Sequence, residues 1–220
     1  MTIRTKICGI TNIEDALNVC DADADALGLV FYAKSPRYVT SKQASEICNA
    51  IPPFVTTVGL FLDASTDFVN EVLENVPLDL LQFHGSESPT YCASFNRPYI
   101  KAVGMKEFLQ EGNTEAAFKK YVNQYPDAKA FLVDSHGAGK AGGTGETFNW
   151  KKIPQGTNKP IILAGGLNPT NISEAIQTAD LIYGVDLSSG VESAPGIKDK
   201  QKIEQLMRNI KMSEVRRVQC

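Results

Sequence analysis

Short apolar runs recur along the whole chain, and segments with helical spacing separate them. Each run is rich in valine, isoleucine, leucine or phenylalanine and lacks a clear polar alternation. This pattern is typical of strands that are covered on both faces of a parallel sheet. The predicted strands are Thr5–Cys8, Ala26–Phe31, Thr56–Phe61, Leu80–Phe83, Tyr99–Val103, Ala130–Asp134, Pro160–Ala164 and Ile182–Asp186.

The intervening segments carry apolar residues three and four positions apart, which predicts helices with one buried face. Three such stripes are Ala16, Leu17, Val19 and Cys20, then Val69, Val72, Leu73 and Val76, then Ile172, Ala175, Ile176 and Ala179. We predict Asn12 and Ser41 as N-caps of the first two helices. Asn168-Pro169 predicts a cap followed by proline at the first helical position. In the sixth crossover only Trp150–Ile153 is left for a short helix.

Eight strand–helix units in 220 residues leave about 27 residues per unit, which suits a compact closed (βα)8 barrel. An open doubly wound sheet usually has fewer strands and often a glycine-rich nucleotide turn after the first strand. The first turn here reads Cys8-Gly9-Ile10-Thr11 and lacks that fingerprint. The sequence therefore predicts an α/β fold, a single (βα)8 TIM barrel with parallel strands, as one domain over residues 1–220. We expect residues 212–220 to be a frayed tail.

Composition narrows the class of protein. Hydrophobic residues make up 43% and charged residues 21%, which is ordinary for a globular chain. A formal charge of −3 argues against broad binding of nucleic acid or of an anionic membrane. No apolar run approaches the roughly 18 residues of a membrane span, and the N-terminus lacks a signal region, so we expect a cytoplasmic protein. A monomer is the default expectation.

The five cysteines are widely spaced and the chain has only two histidines. No Cys-x-x-Cys pair occurs, so the sequence predicts neither a disulfide framework nor a zinc site. Three of the cysteines, Cys20, Cys48 and Cys92, fall on predicted helices and are best interpreted as small apolar side chains. We therefore predict no metal.

The active site of a (βα)8 barrel lies at the carboxyl ends of its strands. Cys8 ends the first strand and is either a base or nucleophile, given a lowered pKa, or a small buried side chain. Asp134 follows four apolar residues, and desolvation there favours the protonated form that a general acid needs. Its alternative role is a loop cap. A thiol and a carboxyl group facing each other across the barrel mouth form an acid–base pair. Asp186 is a second candidate acid, or an anchor for the eighth loop.

Glycines and serines follow the last two strands, where barrels often bind phosphate through backbone amides. Gly165 and Gly166 lie in the seventh loop, and Ser188, Ser189 and Gly190 follow the eighth strand. The glycines allow close approach of the backbone, and the serines add hydroxyl donors.

Three further positions are candidates for ligand contacts. Gly143, in the Gly142–Gly145 stretch of the sixth loop, could close over the same phosphate or belong to a flexible surface loop. Arg37 could clamp a carboxylate through two parallel hydrogen bonds, or be a solvated surface side chain. Gln82 and His84 end the fourth strand. His84 is either a ligand contact or a histidine satisfied by its neighbours, and we prefer the second interpretation.

Several stretches, in order and in register from about Lys6 to Ile203, resemble the phosphoribosylanthranilate isomerase family of tryptophan biosynthesis. They include Lys6-Ile7-Cys8-Gly9-Ile10-Thr11, Ser35-Pro36-Arg37, Gln82-Phe83-His84-Gly85, Gly142-Gly143-Thr144-Gly145, Leu163-Ala164-Gly165-Gly166-Leu167-Asn168-Pro169 and Gly184-Val185-Asp186-Leu187-Ser188-Ser189-Gly190.

The resemblance implies an Amadori rearrangement of N-(5-phosphoribosyl)anthranilate to the 1-deoxyribulose phosphate. It implies Asp134 as the general acid that opens the sugar ring and Cys8 as the general base that removes the C2 proton. It implies Arg37 as the ligand of the anthranilate carboxylate and the two glycine and serine loops as the phosphate site. No metal or organic cofactor is implied, because the imine itself is the electron sink.

Two alternative classes stay open at this point. One is another phosphosugar barrel: the histidine-pathway aminoaldose isomerase would need aspartate in place of Cys8, and indole-glycerol-phosphate synthase would need a catalytic lysine and a longer N-terminus. The other is a catalytically silent phosphosugar-binding barrel. Such a protein would keep the glycine loops but need not keep Cys8 and Asp134, and both are present.

Overall fold

Eight parallel strands close into a barrel in the computed structural model, which describes residues 2–109, 114–135, 149–154, 157–178 and 182–218. Each strand pairs with the next along the chain, and the eighth pairs with the first. The strands are β1 (Arg4–Cys8), β2 (Ala26–Val30), β3 (Thr56–Phe61), β4 (Leu80–Phe83), β5 (Tyr99–Gly104), β6 (Ala130–Asp134), β7 (Ile161–Leu163) and β8 (Ile182–Leu187). The predicted barrel is confirmed, and every predicted strand end lies within one residue of the observed end.

Helices follow most of the strands. They are α1 (Ile13–Asp21), α2 (Ser41–Ala50), α3 (Thr66–Asn75), α4 (Pro89–Ala93), α5 (Met105–Phe108), α6 (Thr114–Val122), α7 (Ile172–Thr178) and α8 (Lys200–Val218). The short helix predicted in the sixth crossover is a 3-10 turn over Trp150–Lys152. After β8 come a second 3-10 turn, Ser189–Val191, and a small antiparallel hairpin of β9 (Glu192–Ala194) and β10 (Ile197–Lys198). Within the described part of the chain, no helix combines the length and apolarity that crossing a membrane requires.

Alternate residues along each strand face the barrel interior and the helix layer, and both faces are buried. The interior carries a small apolar cluster of Ile100, Ala102, Ala130, Leu132 and Ala164. A larger cluster between barrel and helices holds most of the apolar side chains, including Phe61, Phe83 and Phe131, whose rings lie tilted or edge-on to neighbouring rings. Burial on both sides explains why the strands read as continuous apolar runs.

The predicted caps can be compared with the observed helix starts. Asn12 caps α1 as predicted, because its side chain accepts a hydrogen bond from the Asp15 amide at 2.8 Å. The prediction of Ser41 is wrong by one residue: Thr40 caps α2 and forms a reciprocal capping box with Gln43. Asn168 caps the turn before α7, since its Oδ1 accepts from the amides of Thr170 and Asn171 at 2.9 and 3.2 Å. Pro169 lies in that turn, so the prediction of proline at the first helical position is wrong, because α7 begins at Ile172.

Two further predictions are corrected. Leu17 is 39% exposed, because it lies at the solvent edge of the α1 stripe, whereas Ala16 and Val19 are fully buried. The frayed tail predicted from residue 212 is wrong as far as Val218, where α8 ends. Ser213 is buried, and its hydroxyl lies 3.0 Å from that of Ser173, so this part of α8 packs against α7. Ala179 lies outside the described residues.

Candidate active site

A pocket with an empty volume of about 740 Å³, open solvent included, lies at the carboxyl ends of the strands. Cys8 and Asp134, at the ends of β1 and β6, both line it. Other predicted site residues in its lining are Arg37, Gln82, His84, Gly165, Gly166, Asp186, Ser188 and Ser189. Gly190 is not in the lining; it packs against the Leu167 carbonyl, where a side chain would collide. Gly143 lies outside the described residues.

Cys8 shares its side of the pocket with a buried ion pair that the sequence analysis missed. Lys6 precedes Cys8 by two positions on β1 and therefore faces the same side. Its Nζ lies 3.0 Å from each carboxylate oxygen of Asp186, and both side chains are almost fully buried. A charged residue two positions before a strand-end cysteine, within an apolar strand, is the signal that could have found it.

Burial and charge act in opposite directions on these three groups. Burial raises the pKa of the Cys8 thiol, while the Lys6 ammonium lowers it and the Asp186 carboxylate raises it. Burial also raises the pKa of Asp186, with Lys6 opposing. For Lys6 burial lowers the pKa, but the charges of Asp186 and Cys8 outweigh it, so the pKa is raised. Lys6 therefore keeps its positive charge beside two acidic groups.

Asp134 faces His84 across the pocket. The two side chains approach to 3.8 Å between Nε2 of His84 and Oδ2 of Asp134. On the other side of the ring, Nδ1 of His84 lies 3.1 Å from Nε2 of Gln82. Burial lowers the pKa of His84, with the Asp134 charge opposing, so the ring is neutral. A neutral ring that accepts from an amide nitrogen at Nδ1 carries its proton on Nε2, toward Asp134.

His84 is thus satisfied by a neighbour at one nitrogen and open to the pocket at the other. Gln82 is fully buried, and within the described structure its Oε1 has no hydrogen-bond partner. A buried acceptor without a partner costs free energy unless a ligand or water satisfies it. Gln82 is therefore placed both to orient His84 and to accept from a bound molecule.

Arg37 is held by a partner that the sequence analysis also missed. Its Nε and Nη2 each donate to one carboxylate oxygen of Glu192 at 2.7 Å. Glu192, on β9, accepts a further hydrogen bond from Nζ of Lys198 at 2.8 Å. Burial works to raise the pKa of Glu192, but the bonds from Arg37 and Lys198 outweigh it, so the pKa is lowered. The alternative of a solvated Arg37 is wrong, since its side chain is only 11% exposed. The two parallel hydrogen bonds that the sequence analysis expected Arg37 to make to a ligand are made to Glu192, and Arg37 lines the pocket.

The seventh and eighth loops form one wall of the pocket. Gly165 and Gly166 have φ values of +84° and +65°, in the left-handed region that favours glycine. A Cβ at Gly165 would lie only 2.7 Å from Oδ1 of Asp134, so glycine here lets the loop pass close to that carboxylate. Ser188 and Ser189 line the pocket beside it. Glycine turns and serine hydroxyls at this end of a barrel suit the binding of a phosphate group.

The fold and this pocket together define a (βα)8-barrel enzyme whose pocket, at the carboxyl ends of the strands, is lined by a cysteine, an aspartate and two loops rich in glycine and serine. Within the described residues, no three His, Cys, Asp or Glu side chains are grouped so as to hold a metal ion. Residues 5–209 match the family model of N-(5'-phosphoribosyl)anthranilate (PRA) isomerase. The chain belongs to this family.

Individual relatives agree with the family match. The chain is 54% identical over 211 residues to N-(5'-phosphoribosyl)anthranilate isomerase of Pseudomonas fluorescens (strain SBW25), covering 96% of this chain and 97% of the relative. It is similar to the crystal structure of the phosphoribosyl anthranilate isomerase from Thermus thermophilus, with a TM-score of 0.82, 36% identity and coverage of 96% and 99%. It is also similar to a phosphoribosyl anthranilate isomerase in complex with reduced 1-(o-carboxyphenylamino)-1-deoxyribulose 5-phosphate, with a TM-score of 0.78, 34% identity and coverage of 96% and 100%.

Proposed function

We propose that this chain catalyses the Amadori rearrangement of N-(5-phosphoribosyl)anthranilate to 1-(2-carboxyphenylamino)-1-deoxyribulose 5-phosphate, a step of tryptophan biosynthesis. The observation that carries the proposal is that Cys8 and Asp134 line one pocket, beside glycine and serine loops suited to phosphate. Family membership supports the same reaction. So does the solved relative that holds a reduced form of the product of this reaction.

Asp134 serves the first half of the reaction. Its protonated carboxyl group donates a proton to the furanose ring oxygen, the bond from C1 to that oxygen breaks, and the ring opens to an iminium ion. The carboxylate left behind lies 3.8 Å from the protonated Nε2 of His84, which can stabilise the new negative charge. A proton transfer of this kind contributes roughly two to four powers of ten to the rate.

Cys8 serves the second half as a thiolate. Its sulfur removes the C2 proton, and the electron pair of that C–H bond forms the C1–C2 double bond as the iminium nitrogen becomes neutral. The resulting enolamine tautomerises to the ketone. The iminium is the electron sink, so the proposal requires no metal or organic cofactor.

The ends of the substrate are held by groups away from the reacting carbons. We assign the phosphate to Gly165, Gly166, Ser188 and Ser189, and we place Gly190 behind this wall as part of its backbone. We assign the anthranilate carboxylate to Arg37, whose Nε and Nη2 are fixed by Glu192.

A fluorescence assay tests the function, since turnover consumes the anthranilate substrate. Cys8→Ala and Asp134→Asn should each lose most turnover while still binding a reduced product analogue. Activity near that of the unmodified chain in either variant removes that residue from the mechanism. Binding of the analogue without turnover by the unmodified chain would instead favour the catalytically silent barrel.

Three broader expectations accompany the proposed function. A single domain predicts one cooperative unfolding transition. If the protein is a monomer, light scattering should give the mass of a single chain. The measurement tests whether Phe54, on the loop after α2 and 97% exposed, stays exposed in solution or is covered by a second copy of the chain. A cytoplasmic enzyme predicts recovery of the chain in the cytosolic fraction after cell disruption.

A further inference from the structure

We propose that Lys6 is the positioning residue for Cys8, the catalytic base. The ammonium group of Lys6 stabilises the Cys8 thiolate, and Asp186 takes up the proton that the thiol loses. This inference rests on the proposed function for its catalytic meaning. Its structural content is a buried cation placed between a cysteine and a carboxylate.

Lys6 contacts Asp186 and lies close to Cys8. Its Nζ is held at 3.0 Å from each oxygen of Asp186, across the seam where β1 pairs with β8. The neighbouring strand carries Gly28, opposite Cys8 in the register. A Cβ built on Gly28 would lie 2.7 Å from Sγ of Cys8 and 3.0 Å from Nζ of Lys6. One point therefore lies close to both atoms, and the absence of a side chain at Gly28 is what lets sulfur and nitrogen occupy this space together.

The other cations that act on Cys8 share a single carboxylate. They are Lys198, from β10, and Arg37, from the loop after β2. Both donate to Glu192, whose single negative charge offsets one of their two positive charges. Lys6 differs from them because it acts on Cys8 and also donates to Asp186.

One buried cation facing two acids stabilises one ionised acid at a time, because a second negative charge would be buried without compensation. Two arrangements of one proton satisfy this condition. In one, the thiol keeps its proton and Asp186 is ionised. In the other, the S–H bond breaks, an O–H bond forms on Asp186, and the thiolate lies beside the ammonium. Only the second arrangement has a base ready for the C2 proton, so Asp186 serves the base as a proton acceptor and Lys6 as the fixed charge.

The test titrates the Cys8 thiol without substrate. Thiolate absorbance near 240 nm is followed against pH, and the signal of a matched Cys8→Ser variant is subtracted to remove the other cysteines. Lys6→Met should move the titration of Cys8 up by about one to three pH units, since it removes an opposite charge at short range. Asp186→Asn should move it down, and Lys6→Arg should restore most of the Lys6→Met change.

Activity gives a second reading that a merely structural role would not produce. The kcat/KM of Lys6→Met should be reduced about tenfold or more near neutral pH and should recover as pH rises, following the titration of the thiol. Lys101→Met is a matched control, because Lys101 is equally buried but is paired with Glu87 on the outer face of the barrel. It should leave the Cys8 titration unchanged.

An unchanged Cys8 titration in folded Lys6→Met overturns the proposal. If Lys6→Met fails to fold, the Asp186→Asn variant tests the proposal instead. A Cys8 titration that is unchanged or moves to higher pH in Asp186→Asn also overturns the proposal. The outcome is separable from that of the proposed function, since the titration requires no turnover. If the unmodified chain has no isomerase activity, the proposed function is overturned. The effect of Lys6 on the Cys8 thiolate is then tested by the absorbance titration alone.

Discussion

Replacing Glu192 by glutamine should destabilise the protein strongly while keeping the shape of the side chain. Glu192 is 5% exposed and receives both parallel bonds of Arg37 at 2.7 Å and the Lys198 ammonium at 2.8 Å. Lys198 is itself fully buried at its side chain. Removing one partner of a buried ion pair leaves an uncompensated charge and costs about 3–5 kcal/mol. Two cations lose their partner here, so we expect a cost in this range.

Urea unfolding measures the cost, because the free energy of unfolding falls linearly with urea concentration. The matched control is Asp23→Asn, which removes the charge from the exposed ion pair between Asp23 and Lys211. Such surface pairs contribute about 0–1 kcal/mol. Asp23 has a φ of +64°, which asparagine also tolerates, so the control adds no backbone strain.

The Glu192→Gln variant also tests how the substrate is bound. An Arg37 no longer fixed by a carboxylate should bind the substrate carboxylate less well, so KM should rise more than kcat falls. If Glu192→Gln costs no more stability than Asp23→Asn, the Arg37–Glu192–Lys198 network does not stabilise the fold as reasoned. If KM is unchanged, Glu192 does not orient Arg37 for binding.

Two other measurements follow from the site. Gly165→Ala should lower kcat/KM at least about tenfold, because a Cβ there would press on Ser135 and on the Asp134 carboxylate, and a φ of +84° strains alanine by about 1–3 kcal/mol. The control is Gly196→Ala, which has a φ of +82° and lies away from the acid. An equal loss of kcat/KM in the control would remove the contacts with Ser135 and Asp134 as the cause. Burial lowers the pKa of His84 from its ordinary value of 6.5. Below that pH the unfolded chain therefore binds more protons than the folded chain, and the free energy of unfolding should decline as the pH falls through 6.5. His84→Gln should flatten that part of the curve in urea titrations between about pH 5 and 7, and an unaltered slope would show that other groups produce it.

The sequence predicts those features that depend on residues close together in the chain. The strand ends were predicted to within one residue because both faces of every barrel strand are buried, and continuous apolar runs record this directly. The N-cap at Asn12 followed from a side chain that bonds an amide three residues away. The polar strand ends, among them Cys8 and Asp134, could be placed at one rim because parallel strands all end on the same side.

Contacts between distant parts of the chain were decided only by closure of the barrel. Lys6 and Asp186 are 180 residues apart, and Arg37 and Glu192 are 155 apart, so no local pattern pairs them. The sequence placed the proposed reacting groups at one rim, but their charges and proton affinities depend on which buried partner each meets. That choice follows from the register of β1 against β8 and from the position of the hairpin after β8, which exist only once the chain has folded.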